Sequence, residues 1–194
     1  MYSRQVDGKE LIFGVSGLLY KANVLMYDRQ SESLWSQVRR EAVAGPMTGA
    51  KLEVLPSSLT TWKKWRKRYP DTEVLSLDTG YQRDYSREPY ESYYDRRGGG
   101  FFSFFKPGPV EESKALVVGV VLDGTAKAYP LDLLRKKRTL TDTLGGKKFT
   151  FTFDPDTDQL TIRDAAGSDI PFITAYWAVW KGMYPETTLY GKKP

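Results

Sequence analysis

Trp62-Lys63-Lys64-Trp65, followed by Tyr69-Pro70-Asp71-Thr72, returns as Trp177-Ala178-Val179-Trp180 followed by Tyr184-Pro185-Glu186-Thr187, with every spacing kept. Self-similarity of this kind is the mark of a duplicated unit. In each copy two Trp and one Tyr stand at i, i+3 and i+7, which places three rings on one face of a short helix. Ser57 to Thr61 supplies N-cap residues ahead of the first copy, and the proline after each Tyr stops the helix. The basic residues from Lys63 to Arg68 give way to Ala178, Val179, Gly182 and Met183 in the second copy, whereas the rings stay. Trp62, Trp65, Trp177 and Trp180 are therefore read as packing each helix onto a sheet, and the basic face as solvated.

Outward from the first copy, Glu10 to Tyr20 is apolar and β-branched with Gly14 and Gly17 inside it, a buried strand bent at a glycine. Val24 to Tyr27 and Leu34 to Val38, the latter holding Trp35, flank a polar turn and read as a hairpin. Lys51 to Leu55 alternates as a half-buried strand, and Thr72 to Leu77 reads as another. Around the second copy, Asp123-Gly124 and Gly145-Gly146 each separate two strand-like runs and predict two-residue hairpins over 115–129 and 139–154. Pro130 to Lys137 opens with a proline and predicts a short helix, Gln159 to Arg163 a strand, and Ile173 to Met183 a final helix. Asp78 to Ser113 has no sustained period and is rich in Tyr, Arg, Gly and Pro, so it reads as a long irregular connection. The fold class is α+β and β-dominated, with two pseudo-repeated lobes of antiparallel strands each ending in a short Trp-rich helix. The first lobe is 1–97, a Gly/Phe/Pro-rich connection is 98–113 and the second lobe is 114–194. The hairpins of the second lobe have no counterpart ahead of Tyr2, so the first repeat is expected to be incomplete.

Composition shortens the list of chemistries. The 194 residues contain no Cys and no His. That removes Ser-His-Asp and Cys-His catalysis, zinc ribbons and HExxH sites, and leaves carboxylate, Lys, Tyr or Ser-Lys chemistry and oxygen-ligated Mg²⁺ or Ca²⁺. No metal or other cofactor is expected. Asp154-x-Asp156-x-Asp158 opens like a calcium loop, but Gln159 stands in place of its glycine and Ala165 where the bidentate Glu belongs, so it is read as a turn. The formal charge of +5 favours acidic partners only weakly. No apolar run approaches the ~20 residues of a transmembrane helix, and Met1 to Gly8 has no signal core.

Phe13-Gly14-Val15-Ser16-Gly17-Leu18-Leu19-Tyr20, Met26-Tyr27-Asp28-Arg29, Ser33-Leu34-Trp35-Ser36-Gln37 and Thr79-Gly80-Tyr81 through Pro89-Tyr90 occur here in order. With Ala128-Tyr129-Pro130-Leu131 and Asp142-Thr143-Leu144-Gly145-Gly146 they resemble the domain of unknown function 3179 family (DUF3179) over almost the whole chain. The resemblance implies a prokaryotic, exported or envelope-associated protein and brings no established activity. Members usually carry a Cys-Pro-Leu-Cys-like motif ahead of the position of Tyr2, and this sequence has none.

The candidate recognition surface is the segment holding Tyr81, Arg83, Asp84, Tyr85, Glu88 and Tyr90. Ring faces stack on sugars or peptides, and guanidinium and carboxylate groups make directional polar contacts. The competing reading is that these groups pack the two lobes together. The expected function is a non-catalytic binding or structural module for a polysaccharide, a peptide or another envelope protein. One alternative is a carboxylate-dependent carbohydrate-active enzyme drawing on Asp78, Asp84, Glu88 and Asp95, which needs two carboxylates about 5–9 Å apart. The other is a polyanion binder using Lys63 to Arg68. Nucleic acid is disfavoured, because the second copy drops those charges.

Overall fold

Two turns that demand left-handed backbone organise the second half. Asp123 and Gly124 have φ of 46° and 77°, and Gly145 and Gly146 have 57° and 75°, the mirror-image turn geometry that follows strand twist. They close hairpins β7 (Leu116–Leu122) with β8 (Thr125–Pro130) and β9 (Thr139–Leu144) with β10 (Lys147–Asp154), joined by helix α2 (Leu131–Lys137). The computed structural model describes residues 1–57, 59–87 and 114–191. The 98–113 connection lies outside them.

The earlier part of the chain contributes a two-stranded ribbon, β1 (Gln5–Val6) with β2 (Lys9–Glu10), and an antiparallel sheet β3 (Phe13–Tyr20), β4 (Asn23–Asp28), β5 (Leu34–Ser36), β6 (Glu41–Ala44) in sequential order. Val6, Leu11, Trp35, Ala42 and Leu52 form its core, with Phe13 set edge-on to Trp35. Gly17, at φ 74°, marks the bulge where the β3–β4 register shifts. β3 is not the buried strand its composition suggests: it lies at the sheet edge, and Val15, Leu18 and Leu19 are exposed. Helix α1 (Trp62–Arg68) follows, capped by the Thr61 side chain.

In the later part, β11 (Gln159–Asp164) completes the sheet β11-β10-β9, and a second sheet runs β12 (Ile173–Tyr176), β7, β8, β13 (Thr188–Leu189), with helix α3 (Trp177–Met183) connecting β12 to β13. β7 is covered on both faces. Val118 and Val120 enter one core with Phe149, Phe151 and Leu134, while Val117 enters a second with Trp180, Met183 and Val38 of the first half. Gly119 faces the second core: a Cβ there would lie 2.2 Å from the Trp180 ring. The chain is thus α+β and β-dominated, as its sequence implies.

Three further expectations need correction. Ile173–Tyr176 is a strand on β7, so the last helix begins only at Trp177. Residues 51–55 make isolated bridges, Glu41 with Lys51 and Tyr2 with Val54, in place of a ladder. Thr72–Leu77 pairs with no strand among the described residues and exposes Val74, Leu75 and Leu77.

The sequence repeat is a structural repeat in detail. α1 ends at Tyr69 with φ −127°, ψ 78°, and α3 at Tyr184 with φ −126°, ψ 78°, each N–H returning to the carbonyl of the second Trp. Trp65 Nε1 donates to Thr72 Oγ1 at 3.0 Å, and Trp180 Nε1 to Thr187 Oγ1 at 2.9 Å. The Trp65–Tyr69 ring centroids lie 4.5 Å apart and the Trp180–Tyr184 pair 4.4 Å. Burial separates the copies. Trp180 is 1% exposed and Trp177 half-buried, whereas Trp62, Trp65 and Tyr69 are 49%, 42% and 43% exposed.

Candidate functional site

Tyr81, Arg83, Asp84 and Tyr85 sit on the irregular segment after α1; Glu88 and Tyr90 lie outside the described residues. Tyr81 is 72% and Tyr85 47% exposed. The Arg83 guanidinium lies 5.8 Å from the centre of the Tyr81 ring, and the Tyr85 hydroxyl bonds Thr79 Oγ1 at 2.7 Å. Asp84 Oδ1 accepts from the Ser86 N–H at 3.0 Å and its hydroxyl at 2.5 Å, and these bonds hold its carboxyl below the usual range. Every hydrogen bond of 78–87 among the described residues stays within 76–87. What the segment offers is a ring, a guanidinium and a carboxylate open to solvent. An acid catalyst needs a raised carboxyl pKa, so Asp84 is the wrong group for that task.

The structure also assembles a polar cluster that sequence reading missed. Lys127 and Tyr129 alternate on the same face of β8, and Asp142 stands between the inward residues Leu140 and Leu144 of β9. Asp142 Oδ2 accepts from Lys127 Nζ at 2.7 Å and from the Tyr129 hydroxyl at 2.9 Å, while Oδ1 accepts from the Thr143 N–H at 2.8 Å. Lys127 lies 5.7 Å and 5.4 Å from the Tyr129 and Tyr190 ring centres, and those rings stack 5.5 Å apart. This joins the Ala-Tyr-Pro and Asp-Thr-Leu-Gly-Gly motifs; the available signal was a lone Asp and a lone Lys on two otherwise apolar strand faces.

Burial works to raise the Asp142 carboxyl, but donation from Lys127, Thr143 and Tyr129 outweighs it and keeps the group ionised. Burial, then the bond to Asp142 and its charge, push the Tyr129 phenol far up. A carboxylate held by three donors and a neutral phenol bonded to it tie β8 to β9, so the cluster braces one sheet against the other.

Titration of the cluster and of Tyr2, half-buried against the first core, predicts how stability varies with pH. Tyr129 is raised and burial pushes Tyr2 to about 12, so both contribute stability that is complete below the unfolded tyrosine value of ~10 and is lost as pH rises beyond it. Asp142 is depressed, so its contribution is present above the unfolded value of ~3.9 and is lost as pH falls through its folded pKa. Urea midpoints should decline at both ends, with the alkaline decline shallower in Tyr2→Phe; equal alkaline slopes would contradict the assignment.

α1 is not purely solvated on its basic side. Lys64 Nζ bonds Asp158 Oδ1 and the Pro155 carbonyl, each at 2.7 Å, and Thr60 donates to Asp158 Oδ2 at 3.1 Å. The acidic turn read as a broken calcium loop therefore anchors α1. A small cleft of about 40 Å³ lies beside it, between Leu59 and Leu131. Its charged residues are engaged, Asp158 with Lys64 and Arg135 with Asp132. Of the other aromatics, Trp35 is fully buried.

Among the described residues no group of three or more acidic side chains is placed to hold a metal ion, and no helix is long and apolar enough to cross a membrane. No curated protein and no solved structure matches the chain. A family described as "Protein of unknown function (DUF3179)" matches residues 1–170, a span that holds the motifs containing Asp28, Tyr129 and Asp142. With that share of its length matched, the chain belongs to the DUF3179 family.

Proposed function

We propose that the protein is a non-catalytic, two-lobed binding module, with lobes at 1–97 and 114–194 and a recognition surface at Tyr81, Arg83, Asp84 and Tyr85, extended in sequence by Glu88 and Tyr90. The supporting observation is the exposure of two tyrosines on a segment whose hydrogen bonds, among the described residues, stay within 76–87. Solvent-facing rings beside a guanidinium suit a polysaccharide or an extended peptide, where stacking supplies affinity and the Arg fork supplies direction. An envelope location is part of this reading and rests on family resemblance.

Titration against a panel of cell-wall polysaccharides tests the proposal. Tyr81→Ala and Tyr85→Ala should each weaken binding about tenfold, equivalent to ~1.4 kcal/mol, with the melting temperature unchanged. Loss of stability with no change for any ligand would make the segment lobe packing instead. Turnover abolished by Asp84→Asn would replace the module with an enzyme. Steeply salt-dependent heparin retention lost on removing Lys67 would move the function to the basic side of α1.

A further inference from the structure

The two copies of the Trp-Trp-Tyr unit share one geometry, but only one of them is seated. α3 rests on β7–β8 with Trp180 over Gly119, and the tail beyond Tyr184 forms β13, which pairs in parallel with β8 through Thr188 and Leu189. In register with that tail, Thr72 corresponds to Thr187, and Val74 and Leu75 to Leu189 and Tyr190. Val74 and Leu75 are 65% and 87% exposed. Helix and tail are therefore both uncovered in the first copy, at the positions that meet β7–β8 in the second.

The flank of α1 that carries Lys64 already has its partners. At 100° per residue, Lys64 and Arg68 lie together on the flank where α3 carries Val179 and Met183. Val179 and Met183 pack in a core with Val38, Tyr20 and Ala22. Lys64 instead bonds Asp158, and the Asp154 carboxyl, held low mainly by bonds from Thr157 and the Asp156 N–H, is lowered a little further by the charge of Arg68. Lys63, Arg66 and Lys67 are exposed, as charged side chains in water should be, so the ring face is the apolar side of α1 left open, and the chain itself shows what such a face covers.

We propose that the Trp62, Trp65 and Tyr69 face of α1, with Val74 and Leu75, is the seat of a β-hairpin of the β7–β8 kind: an apolar antiparallel strand pair carrying a glycine beneath Trp65. One strand lies under the rings, and its glycine admits Trp65 as Gly119 admits Trp180. The other strand runs parallel to 73–75 and takes up backbone groups that no strand pairs among the described residues. The β7–β8 pair of this chain does not fill the seat, because α3 and β13 already cover it.

The test adds a further copy of residues 114–130 to the full chain, joined ahead of Met1 by a flexible Gly/Ser linker that holds it at roughly millimolar effective concentration. Hydroxyl-radical labelling of Trp62, Trp65 and Tyr69, read residue by residue by mass spectrometry, should fall several-fold toward that of Trp180. The Val74 and Leu75 amides should gain protection from hydrogen exchange. Both effects should vanish when Gly119→Leu is placed in the added copy alone. Unchanged labelling overturns the proposal, and so does equal protection by the Leu variant, which would signify indiscriminate apolar adhesion. A parent chain that is already dimeric, and becomes monomeric on Trp65→Ala, also overturns it by making a second copy the occupant.

Discussion

Trp180→Ala lowers the unfolding free energy by ~3–5 kcal/mol, whereas Trp65→Ala, the same change at the matching position of the repeat, costs under about 1 kcal/mol. The residues share helix position, ring partner and threonine acceptor, so local structure predicts equal losses. The difference comes from what lies above the ring. Truncation at Trp180 opens a cavity over Gly119 between β7 and α3, and it leaves the buried Thr187 hydroxyl without its indole partner. Truncation at Trp65 removes a ring that is already 42% in water. Urea denaturation of the two variants is the measurement. Equal losses would mean that α1 is covered in solution, and the comparison would then have to be repeated on dilution to separate self-association from intramolecular burial.

Asp28→Ala is the second large effect, about 3 kcal/mol or more, because it withdraws an ionised acceptor from the core. Asp28 is fully buried and accepts from Trp35 Nε1 at 2.9 Å, the Ser31 N–H at 2.6 Å and the Ser31 hydroxyl at 2.7 Å. Burial works to raise its pKa, but the donors from Trp35, Ser31 and Ser33 prevail and hold it low. Ser33 Oγ in turn accepts the Met47 N–H, so the carboxylate holds the β4–β5 turn and, through it, the 45–47 loop. Asp28→Asn keeps an acceptor for the indole but turns an amide toward donors, and it should lose roughly half as much. Because the folded pKa is depressed, the advantage of wild type over Asp28→Asn is present above pH ~3.9 and shrinks as pH falls through the folded value. An advantage that did not vary with pH would show that shape, and not charge, carries the effect.

Features fixed by a few adjacent residues were legible in the sequence. Asp123-Gly124 and Gly145-Gly146 could be read because left-handed backbone restricts which residues fit. Thr61 ahead of Trp62 and Pro70 after Tyr69 could be read because helix ends have local chemistry. Features that depend on a distant neighbour were not legible. Ile173–Tyr176 continues an apolar helical pattern and becomes a strand only because β7 offers an edge. Thr72–Leu77 alternates as a strand should but finds no strand to pair with among the described residues. The candidate site divides in the same way. The exposed tyrosines announce themselves by composition, while Lys127 and Asp142, fifteen positions apart on different strands, meet only through the packing of one sheet on another.

β13 reaches back past β9, β10, β11 and β12 to pair with β8, and this orders events as the chain emerges from the ribosome. β7 and β8 are complete while α3 is still unmade, so a strand reading Val-Val-Gly-Val-Val stands bare on one face for tens of residues of synthesis. α1 already exists by then, with rings spaced to fit that face. What turns it away is its flank: at the place where Val179 and Met183 meet Val38, α1 would press Lys64 and Arg68 into an apolar contact. The charge difference between the two copies thus works as a sorting code in time, keeping the earlier helix out of a slot that the later one must fill.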